Sequence, residues 1–447
     1  MPRYCRSLPA PSCVVPLLLL LTLLWSLPAA ADFSLVHITG STPGPTLFIT
    51  AGIDGDEPGG IHAAATLITR YQLKNGQLWV APDLNTQAIL LRERGEMNLK
   101  FAAIDHDDPL AEPVARLKTL VRDQQVDLLV NLHDGSGFYH PTRLSRERNP
   151  YRWGQSVVID QQTLADVRFG ELRQLADMIV TRAATGILSE DDHFQIRNMH
   201  TATLDPAAPT LKSLSWFALR HGKPALSIEA SKTHPVHVRT YYHLLALEAL
   251  MDTVGIKYTR DFELTPEAVA QVIRDDAQMT LAQGRIHLDL NKMNRNLYDF
   301  PLPANPQTGI SVINPLISLQ PEEGGYRIHY GNNRLALLHP RQISIDSHFE
   351  PIPMTIDGER QLVTPGTILP VTSHVQIEPP PHYRFTLASH NGSWEPRATS
   401  IEKDNVAIDR SGRLLRLEIY RDEAFNGMIL LDFRQEEDSE EDSEENS

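Results

Sequence analysis

Short apolar runs alternate with longer segments whose apolar positions recur every three or four residues over roughly the first 260 positions of the chain. The runs at 46–51, 77–81, 126–132, 156–159 and 224–229 predict buried strands, and the segments 58–72, 110–123, 162–185 and 238–255 predict helices. The runs lack the in-out alternation of a half-solvated strand, which suits strands covered on both faces. Strand–helix alternation of this kind predicts an α/β domain over 32–257, built on a mostly parallel sheet flanked by helices.

The texture changes at Thr265-Pro266. Residues 266–282 have the pattern of one amphipathic helix capped by Thr265. Short alternating strands follow, among them 285–290 and 326–330, separated by turns rich in Pro, Asn and Gly. Residues 258–343 are thus expected to form a helix plus a small mostly-β domain. From 344 to 434, strand patterns near 361–364, 373–377, 383–388, 414–420 and 427–433, punctuated by Pro379-Pro380-Pro381 and Asn391-Gly392, predict an Ig-like β-sandwich. No repeat of 20–50 residues is visible.

Residues 1–31 have the layout of a signal peptide: Arg3 and Arg6, an apolar stretch from Val14 to Leu24, and Ala29-Ala30-Ala31 before Asp32. The apolar stretch is short for a membrane span, so no span is expected once the leader is removed. Both cysteines, Cys5 and Cys13, fall inside it, which leaves no thiol for catalysis or metal binding in the mature chain. Export without disulfides fits a periplasm. A formal net charge of −15 argues against a nucleic-acid partner. Part of that charge lies in the tail 435–447, where Glu436 to Glu445 hold eight acids and no base, a composition expected to be disordered.

Chemistry concentrates where strands end. After the first strand come Asp54-Gly55-Asp56-Glu57, and Pro58 then opens a helix. His133-Asp134-Gly135-Ser136-Gly137 ends another strand, and Glu229 ends a third. In open α/β sheets, ligand sites form at the carboxyl ends of the strands. Taken singly, each group has a plainer reading as a solvated helix start, a structural histidine or a surface acid. Together, Asp54, Glu57 and His133 supply three N/O ligands with a fourth position open to water, the layout of a catalytic zinc site. Glu229 would then be the general base. Between them, 90–101 carries Arg92, Arg94, Asn98 and Lys100, whose cations and amide suit an oxyanion or a terminal carboxylate.

The runs Asp56-Glu57-Pro58-Gly59-Gly60, Asn131 through Tyr139, Arg94-Gly95 with Met97-Asn98, and Ile228-Glu229-Ala230-Ser231-Lys232 resemble the peptidoglycan-trimming zinc carboxypeptidases that set helical cell shape. That family sits in the clan that also holds aspartoacylases. The resemblance implies a carboxypeptidase-like fold and a three-domain plan. It also implies hydrolysis of a muramyl tripeptide, L-Ala-γ-D-Glu-meso-diaminopimelate, to the dipeptide. Carried across, Glu57 and His133 are zinc ligands, Arg94 binds the oxyanion, Asn98 binds the substrate carboxylate and Glu229 is the base.

Two positions depart from that pattern. The first ligand is usually His, or Gln in the cell-shape group, whereas Asp54 stands here and takes the charge of the ligand set from −1 to −2. The residue after the family's Asn is usually Arg, whereas Leu99 follows Asn98, so Lys100 is expected to deputise for the missing guanidinium. The alternatives are an aspartoacylase-type amidohydrolase or a wall-peptide-binding protein without activity. Should Asp54 not be a ligand, His62, His106, Asp56 and Asp134 are the other candidates.

Overall fold

The computed structural model describes residues 33–205, 208–388, 394–396, 400–402 and 408–433. The leader with both cysteines, the Asn391-Gly392 turn and the acidic tail lie outside the described residues.

A seven-stranded sheet forms the first domain, in the spatial order Val36–Thr39, Asn75–Ala81, Thr42–Thr50, Leu128–Gly135, Ala225–Ser231, Ser156–Ile159, Gln195–Asn198. Its four central strands are mutually parallel. The first edge strand runs antiparallel to its neighbour, as does the Ser156–Ile159 strand. Among the described residues the α-helices are α1 (Pro58–Arg70), α2 (Thr86–Leu91), α3 (Ala111–Val121), α4 (Leu172–Ala183), α5 (Leu214–Arg220), α6 (Val236–Val254) and α7 (Pro266–Asp275). The sheet is mostly parallel as the pattern predicts, and its two central strands, Leu128–Gly135 and Ala225–Ser231, are buried along their whole length. That double-sided burial is why they read as continuous apolar runs.

Several boundaries differ from the sequence expectation for local reasons. The helix expected over 162–185 begins only at Leu172. Asp166 and Phe169 hold positive φ, and Leu164 N–H donates to the Gly170 carbonyl at 2.8 Å, so the preceding residues close a turn. The helix expected over 266–282 stops at Asp275, and Gln278–Leu281 pairs antiparallel with Ile286–Asp289. Asp276 anchors that stop, accepting hydrogen bonds from Thr69 Oγ1 at 2.7 Å and Arg70 Nε at 3.0 Å. Beyond it Met279 and Leu281 are buried while Gln278 and Thr280 are only partly so, a period of two that wins over the helical pattern. The two edge strands, Val36–Thr39 and Gln195–Asn198, and the short helices α2 and α5 have no sequence counterpart in the expectation.

The middle region holds a three-stranded sheet and a four-stranded sheet. The last region packs a four-stranded sheet against a five-stranded one around a core that includes Ile356, Val375, Leu417, Ile429 and Leu431. Along Ala424–Phe433 successive side chains serve different cores: Ile429 and Leu431 face the sandwich, while Met428 and Leu430 pack on the middle region. The chain is thereby welded together across its β regions. Among the described residues no helix is long and apolar enough to cross a membrane.

Candidate metal centre

The loop from Ala51 to Glu57 leaves the central strand under tight backbone control. Ala51 N–H donates to the Ala81 carbonyl, and Gly55 N–H to the Glu93 carbonyl at 2.8 Å. Gly55 lies so close to α2 that a Cβ there would meet the Ala88 carbonyl at 2.1 Å. Glu57 then takes the position before α1, with Pro58 at the helix start. The first turn of α1 is locked from below: Gly59 N–H donates to Asp134 at 2.8 Å, and the same carboxylate accepts from Arg239 at 2.7 Å and His243 at 3.0 Å. Burial works against the Asp134 charge, but His243, Arg239 and the Gly59 amide prevail and hold its pKa below the usual carboxylate value. Asp134 is therefore a structural anion occupied by three donors.

Asp54, Glu57 and His133 converge above this anchor. All three are buried, and one ligand atom from each lies within 4.8 Å of the others. His133 Nδ1 is 2.8 Å from Glu57 Oε2 and 3.5 Å from Asp54 Oδ2. Asp54 Oδ2 is sealed from solvent without a hydrogen-bond partner. Two buried carboxylates facing one imidazole require positive charge between them. Burial pushes His133 down, yet Glu57 and Asp54 more than reverse it and hold the imidazole well above its ordinary pKa. Burial raises Glu57, against the pull of His133. An orphaned anionic oxygen, a close O/O/N set and this hunger for a cation fit a divalent metal.

The far side of the imidazole is also held. Asn131, two residues earlier and so on the same face of its strand, places its amide 2.7 Å from His133 Nε2, and Thr50 Oγ1 lies 3.0 Å from that amide's other end. When Nδ1 is a ligand atom, Nε2 carries the proton. The structure has Asn131 Nδ2 toward the ring and Oδ1 accepting from Thr50 Oγ1; a proton on Nε2 would call for the amide turned over, oxygen to the ring and nitrogen to Thr50.

Glu229 pairs in register with His133 on the adjacent parallel strand, so the two side chains stand level on one face of the sheet. Burial, opposed by His133 and helped by Glu57, Asp134 and Asp54, pushes its carboxyl up to about 8. A cavity of about 250 Å³ opens on these groups, lined also by Arg94, Asn98, Leu99, Trp153, Asp160 and Lys232. Arg94 Nη2 lies 3.4 Å from Asp54 Oδ2 and is otherwise largely exposed. Asn98 Oδ1 accepts from Leu214 N–H at the start of α5, at 3.0 Å, which turns its amide nitrogen into the group left for a ligand.

Lys100 does not join them. Its ammonium pairs with Asp108 at 2.9 Å and Glu96 at 3.3 Å, and it does not line the cavity. The place expected of it is corrected accordingly: a cation at the cavity rim comes instead from Lys232, 2.6 Å from Asp56 and 3.6 Å from Glu57. Lys232 closes the Ile228–Lys232 run already singled out, so its signal was on the page. Asp160 gave no such signal, because a lone acid after a four-residue strand looks like any loop residue. The other ligand candidates are placed elsewhere. His62 is buried edge-on to Tyr330, with its pKa lowered by burial to about 4, His106 is fully exposed, and Asp56 pairs with Lys232.

A family profile described as carboxypeptidase controlling helical cell shape, catalytic, matches residues 24–274, and one described as the C-terminal domain of metallo-carboxypeptidase matches 345–434. Comparison with curated proteins gave no match. Among solved structures, the tripeptide-bound cell shape determinant Csd4 of Helicobacter pylori is 30% identical, with a TM-score of 0.78 over 90% of this chain and 100% of that one. The form of the same protein bound to mDAP, described as a D,L-carboxypeptidase, gives 30% identity and a TM-score of 0.79 over 89% of this chain and 100% of that one. With one profile spanning more than half of the chain and these structures nearly all of it, this protein is a peptidase and belongs to the family of metallo-carboxypeptidases that control helical cell shape.

Proposed function

We infer that the protein is a zinc-dependent carboxypeptidase that trims peptidoglycan tripeptide stems, releasing meso-diaminopimelate from L-Ala-γ-D-Glu-meso-diaminopimelate. The observation that carries this reading is the convergence of Asp54, Glu57 and His133 on one point, with Glu229 level with His133 on the next strand. The related Csd4 structures, one bound to tripeptide and one to mDAP, support the substrate class.

Asp54, Glu57 and His133 Nδ1 would hold the ion, with Asn131 fixing the ring. A bound zinc supplies Lewis acidity and lowers the pKa of water, so that hydrolysis proceeds at neutral pH. Glu229 takes a proton from the attacking water and returns it to the leaving amine as the C–N bond breaks. Its buried, basic carboxyl suits both transfers. Arg94 swings its exposed guanidinium to the oxygen that becomes anionic, and the Asn98 amide nitrogen donates to the terminal carboxylate. Lys232 at the rim attracts that carboxylate and offsets the charge of Glu57. The leader-like composition of residues 1–31 supports a periplasmic site for this activity. An aspartoacylase-type reaction would need no β regions welded to the catalytic domain, and a binding protein without activity would need no level-set Glu229.

Metal analysis of purified protein and mass spectrometry of a tripeptide digest, for the wild type and Glu229→Gln, form the test. Zinc near one per chain in both, with dipeptide and free meso-diaminopimelate released only by the wild type, is the expected outcome. Intact tripeptide with zinc-loaded wild type would overturn it.

A further inference from the structure

The cavity beside the metal centre is electrically two-ended. Arg94 and Lys232 stand at the end that holds the ligands, whereas the other end carries Asp160 and no basic side chain among its lining residues. Asp160 is 4% exposed, and its Oδ2 is sealed without a hydrogen-bond partner. Its backbone carbonyl accepts from Thr201 N–H and Oγ1, but no described side chain or amide donates to its carboxylate. The hydroxyls nearby are spent elsewhere: Ser213 Oγ caps α5, and Ser215 Oγ pairs with Ser227 Oγ. Burial alone acts on the carboxyl and pushes its pKa up to about 7, with no cation opposing it. A buried acid left unanswered by the protein is a costly feature that calls for a partner from outside.

Strand register fixes where this acid stands. Glu229 pairs with Ser156 and Ser227 with Val158, and Asp160 lies two residues beyond Val158. Side chains two apart share a face, so Asp160 lines the same face as Val158, Ser227 and Glu229, and all four border the cavity. Four residues separate the level of Glu229 from Asp160, about 13 Å of strand at roughly 3.3 Å per residue. From a scissile carbonyl carbon to an ammonium on the sixth carbon of the next residue there are seven bonds, an extended reach of roughly 9 Å. A hydrogen bond of about 2.9 Å and the side chain of Asp160 span the remainder.

We propose that Asp160 is the specificity-determining residue of the leaving-group pocket, accepting a hydrogen bond from an ammonium on the sixth carbon of the substrate's C-terminal amino acid. This rests on the carboxypeptidase reading above and extends it to a selectivity that reading does not contain. The pocket then takes a zwitterion lengthwise, its α-carboxylate toward Asn98 and Lys232 and its distal ammonium on Asp160. Lysine and diaminopimelate both present that ammonium; norleucine and 2-aminopimelate are the same chains without it.

The experiment compares metal-loaded wild type and Asp160→Asn in two readouts. The first is kcat/KM on L-Ala-γ-D-Glu tripeptides ending in meso-diaminopimelate or in 2-aminopimelate. The second is calorimetric binding of free meso-diaminopimelate, lysine, 2-aminopimelate and norleucine. Wild type is expected to favour each amine over its deaminated partner by about a hundredfold, the discrimination of a charge-assisted hydrogen bond of about 3 kcal/mol. In Asp160→Asn that ratio falls at least tenfold, while the deaminated ligands bind as well as before or better. An unchanged ratio in either readout overturns the proposal. Absence of turnover in the wild type, with Asp160-dependent amine preference intact in the binding readout, would overturn the carboxypeptidase reading and leave the pocket assignment standing. Absence of any amine preference in binding would overturn the assignment whether or not the enzyme turns over.

Discussion

A buried acid kept for a ligand costs the free protein stability, and Asp160 lets that cost be worked out. Its folded pKa stands near 7 against the ordinary aspartate value of 3.8, raised by burial alone. Below pH 3.8 the group is protonated in both states and contributes nothing. As pH rises through that value, the unfolded chain releases the proton while the folded one retains it until about 7, so stability falls across this window and stays low above it. Three units at about 1.4 kcal/mol each give a penalty of about 4 kcal/mol at pH 8.5 and less than about 1 kcal/mol at pH 4. Asp160→Asn removes the charge but leaves a sealed amide that costs about 1 kcal/mol at every pH. The variant is therefore expected to be about 3 kcal/mol more stable than wild type at pH 8.5, and equal or slightly weaker at pH 4. Urea unfolding of the first domain, followed by the fluorescence of Trp79, Trp153 and Trp216 with zinc held constant, measures the difference between variants at each pH. Parallel wild-type and variant stabilities across the range would refute the reasoning, since an answered carboxylate has no such pH dependence.

His133→Ala and Asp54→Ala are each expected to weaken zinc by more than about a hundredfold in competition with a chelator; retention in either would mean a different ligand set. Asn131→Ala, which frees the back of the imidazole, should cost about 10–100-fold in zinc affinity with the fold intact. Gly59→Ala would bring a Cβ within 2.5 Å of Asp134 Oδ1 and 2.6 Å of Arg239 Cβ, so a thermal melt should show a loss of about 3 kcal/mol or more; an unshifted melt would mean that the start of α1 gives way freely. Lys100→Ala should leave KM for the tripeptide within about twofold, because its ammonium is spent on Asp108 and Glu96, and a large rise in KM would return it to the site.

The central sheet and the convergence of Asp54, Glu57 and His133 at its edge were legible because both are written in local pattern. Buried parallel strands must be apolar throughout, and a polar residue ending such a run has few reasons to be there other than chemistry. Glu229 and His133 could be placed at one edge on that ground alone, though their sharing a level depends on register, which one strand's sequence does not encode. The two edge strands escaped because four-residue segments such as Val36–Thr39 and Gln195–Asn198 carry too little periodicity to separate from loop. The overlong helices at 162–185 and 266–282 failed for the opposite reason. Their apolar spacing continued past the point where positive φ at Phe169, or the grip of Arg70 and Thr69 on Asp276, ended the helix. Lys100 and Lys232 show the same limit at the site. Both are lysines near a motif, and only the positions of Asp108 and Asp56 decide which ammonium faces the cavity.

Asp54 is the departure that most needed a physical account, since a second carboxylate in the ligand set ought to blunt the metal's Lewis acidity. The structure surrounds that extra charge with cations. Arg94 lies 3.4 Å from Asp54 Oδ2 and Lys232 lies 3.6 Å from Glu57 Oε1, so each carboxylate has its own counter-charge. Unit charges at such separations attract by about 4 kcal/mol at an effective dielectric near 20, less for Arg94 because its guanidinium is 72% exposed. A neutral first ligand would leave Arg94 without this tether, a mobile side chain that must be ordered each time an oxyanion forms. With Asp54 as the proposed first ligand, the guanidinium already stands at the edge of the site before substrate arrives. In the proposed reaction the guanidinium then needs only a short move, from an ion pair with a carboxylate it does not hydrogen-bond to an oxygen gaining charge beside it. On the proposed ligand set, the charge that would weaken the metal's Lewis acidity thus also positions the group best able to offset that loss.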